Sequence, residues 1–191
     1  MRKLLALILA LVLVLSFTGC GEKREVEYAK APEASVQEKG TLEGNVYTGA
    51  LSGLVFNKPE GWVYATDEEI ASVEAPEGVF YDMMCQDPVT GSQVAVMYEE
   101  LLITAGNIAV TADKYIEGIG EGLYNSGMEI YDEKDYELGG KTYKSVTVYG
   151  ESEDISVMQC SLARKEGSKM ISVVAVAFNG ESVEDILNCF E

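Results

Sequence analysis

The 191-residue chain contains no histidine. Histidine is the commonest general base and metal ligand near neutral pH. Its absence excludes His-ligated zinc sites, Ser-His-Asp triads and Cys-His dyads. Basic residues are scarce as well: 14 Lys and Arg stand against 32 Asp and Glu, for a formal net charge of −18. Nucleic-acid binding works by neutralising phosphates with Lys and Arg, so this balance argues against a nucleic-acid partner and against lying flat on anionic lipid. Attraction to cationic partners remains open beside the plainer reading, a solvated surface kept soluble by its charge. The four cysteines, Cys20, Cys85, Cys160 and Cys189, form no CxxC pair, which removes the usual redox and zinc motifs. There is no Gly-rich phosphate loop, and Trp62 is the single tryptophan.

Long apolar runs are also missing, with one short exception. After the basic Arg2 and Lys3, residues 4–17 are apolar or small. That run of about fourteen residues suits the core of a secretory leader, whereas a membrane-spanning helix takes about 20. Thr18 and Gly19 then precede Cys20. The stretch Leu15-Ser16-Phe17-Thr18-Gly19-Cys20 resembles a lipobox, with Phe17 where Leu is usual. The resemblance implies cleavage before Cys20 and a diacylglyceryl thioether on its sulfur, and two acyl chains suffice for stable anchoring. The expected location is the outer face of the cell membrane.

Residues 1–19 are therefore read as a leader, 20–45 as the lipidated cysteine with a charged, flexible tether, and 46–191 as one domain. The tether carries Glu22, Lys23, Arg24, Glu25, Glu27, Lys30, Glu33, Glu38 and Lys39 with little apolar content, too little to bury and order itself. In the domain, strands are expected at 53–56, 62–65, 79–86, 93–101, 128–136, 142–149, 155–164 and 170–178. Thr66-x-x-Glu69 is a capping box opening a short helix. Thr111 caps a second helix, in which Ala112, Tyr115, Ile116, Ile119 and Leu123 recur at helical spacing despite Gly118, Gly120 and Gly122. Ser182 starts the last helix, with Val183, Ile186, Leu187 and Phe190 on its apolar stripe. Gly139-Gly140 and Gly167-Ser168 are two-residue hairpin turns. Residues 171–178 are apolar on both faces apart from Ser172, the mark of a central strand covered on both sides. The expected fold is α+β: an antiparallel sheet of about six to eight strands with helices on both faces, a three-layer α/β/α sandwich.

Phe56-x-x-Pro59-x-Gly61-Trp62, then Leu138-Gly139-Gly140-Lys141-x-Tyr143, then Ile186-Leu187-x-x-Phe190 occur in that order. In this the chain resembles the PsbP-like family over residues 46–190, a family that includes photosystem accessory proteins and many small bacterial lipoproteins. The resemblance implies an adaptor role. The ion-related histidines of the photosystem members have no counterpart here, so no metal and no cofactor are expected.

Cys85, Cys160 and Cys189 read as small buried hydrophobes, with a disulfide among them left open. Trp62, after the Pro59-Glu60-Gly61 turn, reads as a buried packing anchor. The acidic runs 132–135 and 151–154 match no calcium loop and read as solvated turns. Tyr131, Tyr136, Tyr143 and Tyr149 sit on neighbouring strands, either on a face under a helix or as a recognition surface, since Tyr suits interfaces. The surface expected to meet an envelope protein partner comprises Tyr143, Tyr149, Gln159 and Arg164. The function expected is a non-enzymatic binding or accessory lipoprotein. A carboxylate-based envelope enzyme and a small solute-binding lipoprotein are the alternatives.

Overall fold

A computed structural model describes residues 39–76, 78–101, 110–152 and 154–191. The leader, Cys20 and most of the tether lie outside the described residues. The chain first forms a small antiparallel sheet from β1 (Thr41–Glu43), β2 (Val46–Thr48) and β3 (Val55–Asn57), in that order. It continues through β4 (Val63–Tyr64), α1 (Asp67–Ala71), β5 (Val79–Gln86), β6 (Gln93–Glu100), α2 (Ala112–Asn125), β7 (Glu129–Leu138), β8 (Lys141–Ser152), β9 (Ile155–Glu166), β10 (Lys169–Phe178) and α3 (Val183–Leu187). Seven of these strands make one antiparallel sheet, ordered β4-β5-β6-β10-β9-β8-β7. The fold is α+β and predominantly antiparallel sheet.

The turns follow from local chemistry. Gly139 and Gly140 both adopt positive φ, 55° and 68°, the pair of left-handed residues a tight hairpin needs. β7 to β10 thus run as a meander, and the doubly apolar β10 closes against β6 in the middle of the sheet. Thr66 and Glu69 form the expected reciprocal cap: Glu69 N–H donates to Thr66 Oγ1 at 3.2 Å and Thr66 N–H to Glu69 Oε2 at 2.8 Å. Thr111 and Ser182 cap α2 and α3.

Side chains on the first face of β10, Ile171, Val173, Ala175 and Ala177, join one core with Tyr47, Leu54 and Phe56 of the small-sheet region and with Val183, Ile186, Leu187 and Phe190. On the second face, Val174, Val176 and Phe178 pack with Val79, Tyr81 and Met97, and with Ile70 and Val73 at α1. Ile116 and Leu123 of α2 pack on Val146, Val148, Ala163 and Met170. Much of the cover over the first face is therefore strand. The small sheet is pinned there by the C-terminal segment: Glu191 N–H donates to Val55 O at 2.8 Å, and the Phe56 and Phe190 ring centroids lie 4.8 Å apart.

Two expectations need correction. Thr41–Glu43 was assigned to the tether, yet it pairs with β2 in register, so order begins before residue 46. Its side chains are all exposed, which is why no burial pattern marks it. Trp62 is half-buried, packing on the edge of the first core. The Gly61 turn (φ 85°) delivers it to the rim, where β4 is only two residues long and gives it no roof. Cys85 and Cys160 are buried and Cys189 is half-buried, all three as free thiols.

Candidate functional site

The outer part of the first face, between α3 and β7, carries a groove of about 220 Å³. Its position follows from strand alternation, which sends every second side chain to one face. The register sets Asp132 beside Thr147 and Thr147 beside Cys160, one row across β7, β8 and β9. The β7 register shifts between Ile130 and Asp132. This bulge adds one residue and re-aims its side chain. The residue is Tyr131, 71% exposed on the groove rim. Half-buried Tyr136 lines the same groove, Met158 and Leu187 supply apolar floor, and Glu184 faces them from α3.

Charges at the groove are largely paired. Lys134 Nζ lies 2.8 Å from Asp132 Oδ2, and this hydrogen bond holds its ammonium above the usual lysine range. Tyr149 donates to Glu151 Oε2 at 2.9 Å, which pushes its phenol up. Burial pushes the Cys160 thiol up, against an opposing hydrogen bond from Thr147. A reactive cysteine needs the reverse, a depressed thiol.

The structure does not bring the four expected surface residues together. Tyr143 is 1% exposed, inside the first core, with the Arg164 guanidinium 5.3 Å from its ring centroid. Arg164 is held by Glu166 at 2.6 Å. Gln159 is 4% exposed. It pairs with Val176, on the second face of the sheet, and donates from Nε2 to Ser161 Oγ at 3.0 Å. Arg164 pairs with Ile171, on the first face. An odd separation along one regular strand always divides two residues between faces. Tyr149 is half-buried and paired with Met158, beside the groove. Tyr131 and Tyr136 join it. Glu184 and Met158 were missed, because nothing local in the sequence places α3 over β9.

A second constellation was also missed. A bulge between Tyr81 and Met83 turns Asp82 towards the first face. Asp82 is 6% exposed and is the only acidic side chain buried among the described residues. Its Oδ1 accepts from Gly40 N–H at 2.8 Å, and its Oδ2 accepts from the Tyr98 hydroxyl at 3.0 Å and from the Tyr47 hydroxyl. Burial, then the Asp82 hydrogen bond, pushes the Tyr47 phenol far up. Tyr98 in turn accepts from Ser52 N–H at 3.3 Å, and Ser52 O accepts from Lys141 Nζ at 3.1 Å. A cavity of about 190 Å³ borders Asp82, with Lys39 paired to Asp67 on its rim. Glycoside hydrolysis uses two facing carboxyl groups; here one is buried and its oxygens are taken. Among the described residues no group of three or more Cys, Asp or Glu could hold a metal ion. None of the described helices is long and apolar enough to cross a membrane.

No family model matches the chain, and no curated protein matches it. A crystal structure from Bacteroides thetaiotaomicron is similar at 13% identity with a TM-score of 0.42, over 78% of this chain and 48% of that one. The chain thus spans about half the length of that structure, and a likeness this loose carries nothing about fold or function.

Proposed function

We propose that the chain is a lipid-anchored, non-enzymatic accessory module on the outer face of the cell membrane, docking an envelope protein through the tyrosine groove. The observation that carries this reading is the groove itself: exposed Tyr131 and half-buried Tyr136 over an apolar floor, with Tyr149 beside it, on strands already fixed by the meander. Tyrosine offers a large contact area at low conformational cost, with a polar tip that tolerates water before binding. The lipobox-like stretch ending at Cys20 supports the anchor, and the acidic spacer supports a domain held off the lipid surface. The order of the Phe56–Trp62, Leu138–Tyr143 and Ile186–Phe190 motifs supports a PsbP-like three-layer arrangement as the ancestry of the domain. The one acid buried among the described residues, engaged by three donors, favours a binding role over carboxylate chemistry.

Photo-crosslinking in intact cells tests the reading. A benzophenone amino acid at Tyr131 or Tyr149 should give one discrete adduct with an envelope protein. The same probe at exposed Val89, in the β5–β6 loop, should give none. Equal labelling from Val89, or no adduct from the groove, would sink the reading. A small solute co-purifying in the groove would replace it with solute capture.

A further inference from the structure

β7 is the outermost strand of the seven-stranded sheet, and none of the described residues pairs with its outer edge. It is ten residues long and mostly exposed. Such an edge presents a row of unpaired N–H and C=O groups, ready to template another strand. The bulge at Tyr131 limits regular pairing to the part from Asp132 to Leu138.

The charge on this edge is net acidic. Glu129, Asp132, Glu133, Asp135 and Glu137 are acidic; Asp132 pairs with Lys134, the one cation on the strand, at 2.8 Å, and Asp135 pairs with Lys144 of β8 at 2.7 Å. Glu184 adds a further acid across the groove. Charged side chains normally protect an edge from unwanted pairing. A net acidic edge does so selectively: it repels a second copy of this acidic strand and attracts a basic one. On the groove face Tyr131 and Tyr136 offer aromatic contact beside the edge, while Glu133, Asp135 and Glu137 alternate onto the opposite face, where basic side chains of an added strand would meet them. The apolar floor of Met158 and Leu187 can seat an alternate apolar residue.

We infer that β7 takes up an extended basic peptide segment as an eighth strand, its backbone pairing along Asp132–Leu138 and every second side chain entering the tyrosine groove. Main-chain bonds supply affinity in this mode and alternate side chains supply specificity. The inference rests on reading the groove as a docking surface and names the chemistry of what docks.

The test uses the full chain in detergent and a dye-labelled octapeptide of alternating Arg and Val, followed by fluorescence anisotropy. Saturable binding is expected, weakening about tenfold or more between low and moderately high salt as screening sets in. Glu133→Lys together with Glu137→Lys should weaken it about tenfold, as the Arg side chains on that face lose their partners, and Tyr131→Ala should weaken it independently, as the Val side chains in the groove lose aromatic contact. Hydrogen exchange should show new protection confined to 132–138. An octapeptide N-methylated at alternate residues should not bind. Undiminished binding of the N-methylated peptide would reduce the effect to unspecific charge attraction and overturn strand addition. Equal binding of a Glu-Val octapeptide, or no binding of the Arg-Val one, would overturn the basic partner. If groove crosslinks still form in cells after such a failure, the docking role survives and only the identity of the occupant falls.

Discussion

Replacing Asp82 by Ala would leave the Tyr47 and Tyr98 hydroxyls and the Gly40 N–H without their acceptor in a buried site. Each buried donor left unsatisfied costs about 1–3 kcal/mol, so Asp82→Ala should lose about 3–5 kcal/mol in urea denaturation, and Tyr47→Phe about 1–2 kcal/mol. A loss under about 1 kcal/mol for Asp82→Ala would show that the cluster contributes little. Trp62→Ala, at a half-buried rim site, should fall below the roughly 3–5 kcal/mol of a fully buried aromatic. The Tyr143 and Tyr149 pair now separates: Tyr143→Ser empties a core site and should be strongly destabilising, whereas Tyr149→Ser should leave stability nearly intact and weaken partner capture. At this scale the sequence was legible where alternation sufficed. The odd spacing of Gln159 and Arg164 already divides them between faces. Which face is roofed was not legible, because the roof comes from three-residue strands too short to show a period. The two bulges that aim Asp82 and Tyr131 left no local signal either.

Among the elements, α2 carries an internal contrast. Gly118 is exposed, with open space where a methyl would go, whereas a methyl on buried Gly120 would lie 3.4 Å from Val146 Cγ2. Alanine exceeds glycine in helix interiors by about 1 kcal/mol. Gly118→Ala should therefore stabilise by close to that amount in calorimetry, and Gly120→Ala by less, since Val146 must adjust. The reverse order would mean that α2 does not sit as described. Removing the α1 cap with Thr66→Ala should cost about 1 kcal/mol. The three described helices were legible through their caps, and the meander through Gly139-Gly140. β1 and β2 were not, since their few residues are held through Asp82, which binds Gly40 and Tyr47, contacts remote in sequence.

For the whole molecule, the titratable groups point to an alkaline limit. Burial pushes Tyr81, Tyr64 and Cys85 up to about 12, and pushes Tyr47, Tyr98, Tyr115 and Tyr143 up as well. An unfolded chain ionises the same groups near their ordinary values of 9.0 for the thiol and 10.0 for the phenols. Below that range neither state has lost these protons, and their contribution to stability is fully present. As pH rises towards 12 the unfolded state releases protons that the folded state retains, so stability falls. With no histidine to titrate, the melting temperature should be nearly flat from pH 6 to 8 and then drop above about pH 10. Phenolate absorbance from the buried tyrosines should appear together with unfolding; a full rise well before it would mean that they are not held as described. At the same scale, Cys20→Ser should move the protein out of the detergent phase or leave it unprocessed. Full membrane association of the cleaved variant would refute the anchor.

The Asp82–Gly40 contact also has a mechanical meaning. Gly40 immediately precedes β1, the outermost strand of the small sheet. A pull on the chain from the N-terminal side first loads that contact, whose other half is Asp82 in β5 of the large sheet. Once it yields, β1 can peel from β2 one hydrogen bond at a time, while the seven-stranded sheet bears no load. The domain thus carries its own shock absorber at the N-terminal end of the described residues, and a tug there costs a short hairpin before it reaches the groove.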